Sequence, residues 1–182
     1  INRPNKSTLD RLVSQKTKLS VYFTLNFAVA FLAIFISWRA FLYFSVYIFL
    51  IWFYSHKVKK FVVIGNLMAT LMAILPFFAL LLYYKNFYEV IICHAPFLFL
   101  LILIREMIKD LENLKGDLAN DYKTIPILYG ELTSKKIITI LTILTIIPVF
   151  LLIEKFEIGN MDLYFYSCLL ILLLFLLKLW KS

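Results

Sequence analysis

Residues 61–84 read FVVIGNLMATLMAILPFFALLLYY, a stretch without a single charged side chain. A helix rises about 1.5 Å per residue, so a run of this length crosses the roughly 30 Å hydrocarbon core of a bilayer. Outward from it, comparable apolar runs lie at 19–38, 40–55, 88–104, 137–153 and 163–180, giving six candidate spans. Two of them, 40–55 and 88–104, fall short of the roughly 20 residues a bilayer needs, so neighbouring residues must add a turn. Residues 88–104 can do this because they lead into a polar segment that is still compatible with a helix. Pro76, Pro96 and Pro148 fall inside spans, where packed neighbours satisfy the freed carbonyls; they predict kinks rather than breaks.

The composition points the same way. Of 182 residues, 63% are hydrophobic and 16% charged, against about 45–50% and 25% in soluble domains. These numbers argue against a soluble fold, and a disordered chain, a disulfide-stapled secreted domain and a collagen-like fibre are excluded. Cys93 and Cys168 lie in apolar runs without metal-ligand spacing and read as small core residues. The expected fold is an all-α, multi-pass transmembrane helical bundle.

The net charge of +8 comes from basic residues at the ends of apolar runs, which argues against nucleic acid as a partner. With six spans, both termini and the loops near 56–60 and 105–136 share one membrane face. That face carries sixteen of the nineteen Lys and Arg residues; Arg39, Lys85 and Lys155 alone lie on the other. The bias predicts a cell-membrane protein with both termini and the 105–136 segment in the cytoplasm.

That segment is the chemically informative one. Residues 105–130, REMIKDLENLKGDLANDYKTIPILYG, contain five of the eleven acidic residues. At 100° per residue, Glu106, Asp110, Asn113 and Asp117 fall at about 0°, 40°, −20° and 20°, which predicts one oxygen-rich stripe on a continuous helix. Stacked carboxylates repel unless cations lie between them. Hard oxygen ligands at this spacing suit Mg²⁺, which takes one or two carboxylates and completes its shell with water and phosphate oxygens. With Arg105, Lys109, Lys115 and Lys123 interleaved, the stripe suits a substrate with a diphosphate head and an apolar tail. The competing reading is an ordinary amphipathic juxtamembrane helix, supported by the i to i+3 pairs Lys109 with Glu112 and Glu112 with Lys115. Against it, Glu106 with Asp110 and Asp117 with Asp121 are like charges at i to i+4. Asn66, beside Gly65, is costly in lipid and so is expected to face the bundle interior, as a substrate-pocket or helix-packing residue. His94 reads as a helix-packing polar residue.

The acidic segment resembles the second acidic motif of the UbiA-type membrane prenyltransferases. The matching positions are Arg105-Glu106, Lys109-Asp110, Asn113 with Gly116-Asp117, Lys123-Thr124-Ile125-Pro126 and Gly130. The opening INRPNK, with Asn2, Arg3, Pro4 and Lys6, resembles the stretch that follows the family's first acidic motif. By that resemblance residues 1–182 form a single prenyltransferase-like membrane domain that lacks the first acidic motif and the first two spans. It also stops before the last span of a roughly nine-span fold, and the piece alone is expected to be inactive. Where many members carry Asp, four residues before Asp117, this chain has Asn113, a neutral oxygen ligand.

The resemblance implies an enzyme that moves a polyprenyl group from its diphosphate to a hydrophobic lipid or aromatic acceptor. It implies Mg²⁺ held by Asp110, Asn113, Asp117 and Glu106, and diphosphate contacts from Arg3, Lys6 and Lys123. Within the family the pattern is most similar to the geranylgeranylglycerol-phosphate branch, with quinone-ring and haem prenylation as alternatives. A CDP-alcohol type transferase would need a spacing of acids and glycines that is absent. A non-enzymatic transporter or structural subunit remains as the contrasting class; transport predicts ionisable residues near the midplane, whereas the acids here lie at the interfaces.

Overall fold

A computed structural model describes residues 13–85, 87–119, 122–156 and 159–181. Every regular element among them is helical. The helices are α1 (Gln15–Ile36), α2 (Trp38–His56), a 3₁₀ turn (Val58–Lys60), α3 (Val62–Tyr84), α4 (Glu89–Glu112), α5 (Leu114–Ala119), α6 (Ile125–Leu144), α7 (Ile146–Lys155) and α8 (Met161–Lys181). Six stretches are long and apolar enough to cross a membrane: the first four are α1, α2, residues 62–81 of α3, and α4; the fifth is Ile125–Lys155, joining α6 and α7, and the sixth is α8. These are the six spans expected from the apolar runs.

The ends of the helices follow local chemistry that hydropathy does not register. Ser37 separates α1 from α2: its backbone N–H donates to the Ala33 carbonyl, and its hydroxyl accepts the N–H of Ala40 at 3.0 Å. A serine thus closes one helix and caps the next, satisfying donors that the start of a helix leaves free. The fifth span begins at Ile125, twelve residues before the apolar run at 137, because Pro126 sits in the first turn, where a missing N–H costs nothing. Pro76 and Pro96 lie inside uninterrupted helices. Near Pro148 the regular helix is interrupted at Thr145 but the span continues: Thr145 keeps helical dihedrals (φ −64°, ψ −20°), its N–H donates to the Leu141 carbonyl and its carbonyl accepts from Val149, while the hydroxyls of Thr142 and Thr145 bond back to the carbonyls of Ile138 and Thr142 at 2.8 and 2.6 Å. Such back-bonding satisfies buried hydroxyls within the helix and bends it.

The chain divides into two compact units, residues 1–59 and 60–182. In the first, α1 packs on α2. Asn26 is half-buried there, and its amide donates to the Tyr22 carbonyl of its own helix at 2.9 Å. In the second, α4 is the central element and packs against α3, α6 and α7. Phe97, Val149, Leu152 and Phe165 form a core near its first half, and His94 lies among Phe77, Phe97 and Phe165, with ring centroids 5.6–6.4 Å away. Ile104, Met107, Ile125 and Ile138 form a second core near its last turns. Large apolar side chains elsewhere face outward, Phe27 and Leu163 being 75% and 78% exposed. In water this would be unstable; against acyl chains it is the expected outer surface.

Candidate metal and diphosphate site

The last two turns of α4 carry Glu106 and Asp110, and the two acids are held differently. Glu106 accepts from Arg105 Nη1 at 2.8 Å and from Lys109 Nζ at 2.9 Å. Its side chain is 12% exposed, while those of Arg105 and Lys109 are 73% and 55% exposed, so two basic arms fold over one carboxylate. Lys109 thereby turns to Glu106, one turn earlier on the helix, instead of to Glu112, its expected partner. The charge of Glu106 is largely compensated within its own helix.

Asp110 has a different partner. Its Oδ2 accepts from Asn66 Nδ2 of α3 at 2.8 Å, a hydrogen bond across forty-four residues of sequence. The Asn66 carbonyl in turn accepts from the buried Thr70 hydroxyl at 2.8 Å. Asn66 therefore faces inward, as its cost in lipid requires, and what it meets is the carboxylate of the acidic segment. Both Glu106 and Asp117 lie close enough to Asp110 for their charges to act on it. Asn66, Glu106, Asp110 and Asp117 are thus brought together.

The continuous helix expected under this stripe is not found. α4 ends at Glu112, Asn113 caps it with φ −97° and ψ 11°, and a separate short helix, α5, begins at Leu114. The Asn113 carbonyl accepts from Gly116 N–H at 2.8 Å and from Asp117 N–H at 2.9 Å, and the Asp117 carbonyl accepts from Tyr122 N–H at 3.0 Å. Asn113 tolerates the non-helical cap geometry, and Gly116 holds a helix poorly. The break falls between Asp110 and Asp117, yet the two carboxylates remain close enough for their charges to interact.

Lys123 is exposed in the link between α5 and α6. Arg3 and Lys6 lie outside the described residues. Two features went without a role in the sequence reading. The Thr124 hydroxyl, at the N-cap of α6, is buried with no hydrogen-bond partner among the described residues, although Thr at this position ordinarily caps the helix. Gly130 adopts φ 83° and ψ 164° inside α6, a conformation open essentially to glycine alone, and kinks the helix one turn past its start. Thr followed by Pro two residues later signals such a helix start; nothing in the spacing signals the unmet hydroxyl.

Among the described residues no three His, Cys, Asp or Glu side chains converge as a closed metal cage would require. A site for Mg²⁺ asks for less: one or two carboxylates, neutral oxygens and open positions for water and phosphate. Asp110 and Asp117, which lie close enough for their charges to act on each other, offer carboxylates of that kind.

Comparison with known proteins identifies the family of the chain. The model of the UbiA prenyltransferase family matches residues 1–182. The digeranylgeranylglyceryl phosphate synthase of Pyrococcus furiosus is 33% identical over 157 residues, covering 83% of this chain and 54% of that protein. The same-named protein of Thermococcus sibiricus is 34% identical over 152 residues, 81% of this chain and 52% of its own length. That of Methanosphaera stadtmanae is 45% identical over 51 residues, 28% of this chain and 19% of its length. The chain spans about half the length of the first two relatives. No solved structure matches it. With its whole length matched, the chain belongs to the UbiA prenyltransferase family.

Proposed function

We propose that this chain is part of an intramembrane prenyltransferase that moves a polyprenyl group from its diphosphate to a hydrophobic acceptor of the geranylgeranylglycerol-phosphate type. The observation that carries the reading is the Asn66–Asp110 hydrogen bond, which fixes a half-buried carboxylate within electrostatic reach of Asp117 in a chain of this family. The acceptor class follows the names of the relatives, digeranylgeranylglyceryl phosphate synthases.

In this reading Asp110 and Asp117, with the Asn113 amide oxygen, hold Mg²⁺, and Glu106, already braced by Arg105 and Lys109, stands behind them. Bound Mg²⁺ supplies neutralisation of the charge that builds on the diphosphate as its bond to the allylic carbon breaks. Asn66 orients the Asp110 carboxylate and leaves its second oxygen available. Lys123, with Arg3 and Lys6, offers ammonium and guanidinium donors to the diphosphate oxygens. The apolar helices take the prenyl tail and exclude water, so that the acceptor oxygen reaches the allylic carbon before solvent does. The positive-inside charge bias supports a cytoplasmic position for the site.

The test is diphosphate release from radiolabelled geranylgeranyl diphosphate by the whole protein in detergent, with and without Mg²⁺, for the unchanged chain and Asp117→Ala. Mg²⁺-dependent release that disappears in the variant, with label appearing in a new lipid, is the expected result. Release unchanged by the substitution would remove Asp117 from the site. No release under any metal from a folded protein would return the transporter or structural reading to the front.

A further inference from the structure

On the other side of α4 from Asp110, a cleft of about 370 Å³ opens between α4, α6 and α8. Ile108 and Glu112, which line it, point about 160° away from Asp110 around the helix, so the cleft is separate from the carboxylate site. Its floor is apolar, from Ile108, Leu111, Phe175 and Leu179. Its rim carries Glu112, Glu131, Lys135 and Lys178. Among the described residues none of these four charged side chains forms an ion pair within 4 Å; the ion pairs there involve Arg105, Lys109 and Lys155. The cleft lies where α4 ends, α6 begins and α8 ends, the ends that also carry Arg105, Lys109, Lys136 and Lys181, which is the depth of lipid headgroups.

We propose that this cleft binds a membrane phospholipid whose headgroup carries a phosphate and a primary ammonium. Lys135 and Lys178 receive the phosphate, Glu112 and Glu131 receive the ammonium, and the start of the tail lies on the apolar floor. The equal number of acids and bases selects a zwitterion over a purely anionic head. Carboxylates accept hydrogen bonds from a primary ammonium, whereas a quaternary one has no N–H to give. The site is independent of prenyl transfer and survives the failure of that reading.

Trp180 provides the reporter. Its indole N–H donates to the Thr139 hydroxyl at 3.0 Å, and that hydroxyl donates to the Lys135 carbonyl at 2.8 Å, which places the ring about one turn from the rim. With Trp38→Phe and Trp52→Phe, Trp180 is the sole tryptophan among residues 1–182. The chain is reconstituted in phosphatidylcholine vesicles, and its fluorescence is titrated with brominated phosphatidylethanolamine, brominated phosphatidylcholine or brominated phosphatidylglycerol. Phosphatidylethanolamine is expected to reach half-quenching at a mole fraction about fivefold lower than phosphatidylcholine, the effect of about one net hydrogen bond from its ammonium. Glu112→Gln with Glu131→Gln abolishes the preference over phosphatidylcholine and the advantage over phosphatidylglycerol, and Lys135→Gln with Lys178→Gln raises the half-quenching mole fraction of all three lipids, whose phosphate they share. Equal quenching by all three lipids in the unreplaced rim overturns the proposal, and this comparison stands even where a variant fails to fold. Tighter binding of phosphatidylglycerol overturns the ammonium assignment, and no quenching by any lipid overturns the proposal as a whole.

Discussion

The two ends of α4 each carry a carboxylate that reaches another helix, and the partners differ in kind. At its start Glu89 meets Lys155 of α7 at 2.7 Å, both side chains well exposed, at 70% and 59%. At its end Asp110 is half-buried and accepts from a neutral amide, Asn66 of α3, with two further carboxylates close by. The first is an ordinary surface ion pair: two opposite charges, both still hydrated, and little lost if either is removed. The second is an arrangement that stability alone would not favour, because a neutral donor orients the charge without cancelling it and like charges oppose it. A cation would complete such a site, and the proposed chemistry is therefore assigned to the second end of the helix and not to the first.

The largest way to break the comparison is Asp110→Asn, which keeps the shape and a hydrogen bond to Asn66 but removes the charge. In the whole protein, prenyl transfer is expected to fall about 100-fold or more, in the range seen when one electrostatic contributor to a transition state is lost. Its thermal midpoint should stay where it is or rise, because burial and the nearby Glu106 and Asp117 disfavour the charge that is removed. Transfer within a few-fold of the unchanged protein would mean that Asp110 is only a packing group.

Asn66→Leu sharpens the same contrast from the other helix. As a positioning residue, Asn66 acts through Asp110, and outer partners of metal-binding groups typically cost about 10–100-fold in affinity or activity when removed. The expected signature is a higher Mg²⁺ concentration for half-maximal rate, with saturating Mg²⁺ restoring much of the activity. A rate loss that no Mg²⁺ concentration relieves would assign Asn66 a structural role instead.

Much of the fold was legible, and the reason is the solvent. In a bilayer the backbone must satisfy itself, so each apolar run has to be a helix, and the distribution of Lys and Arg then checks the span count. Helix ends were less legible because they depend on single groups, such as the Ser37 hydroxyl and the Asn113 cap. Periodicity continued smoothly through 105–117 and so concealed the break before α5. In the site, the acidic residues announced themselves by spacing, and Asn66 announced itself by its cost in lipid. Their hydrogen bond did not, since a contact across forty-four residues depends on how α3 packs against α4. The pairing of Glu106 with Arg105 and Lys109 was hidden for a different reason: Lys109 has acids three residues away on both sides, and the sequence does not rank them.

Gly130→Ala probes the helix that packs at the Asp110 end. A Cβ there meets nothing within 4 Å, so its cost is backbone strain at φ 83° and not a clash. About 1–3 kcal/mol of stability should be lost, read as a lower unfolding midpoint in detergent. An unchanged midpoint would mean that α6 straightens through this position at no cost.

The smallest effect is expected at the opposite end of α4. Glu89→Gln leaves Lys155 in water, where its ammonium is hydrated and also lies 5.4 Å from the centre of the Phe156 ring. Neither group is desolvated by the pairing, so nothing buried is left without a partner when one charge goes. Prenyl transfer and the unfolding midpoint should both match those of the unchanged protein, and raising the salt concentration should leave the difference at zero. A clear loss of transfer in Glu89→Gln with the midpoint intact would erase the asymmetry between the two ends, because it would require chemistry at both. Loss of stability alone would have a narrower meaning: the exposed pair would then fix how α7 lies against the start of α4, and Asp110 would keep its place as the carboxylate whose charge the reaction needs.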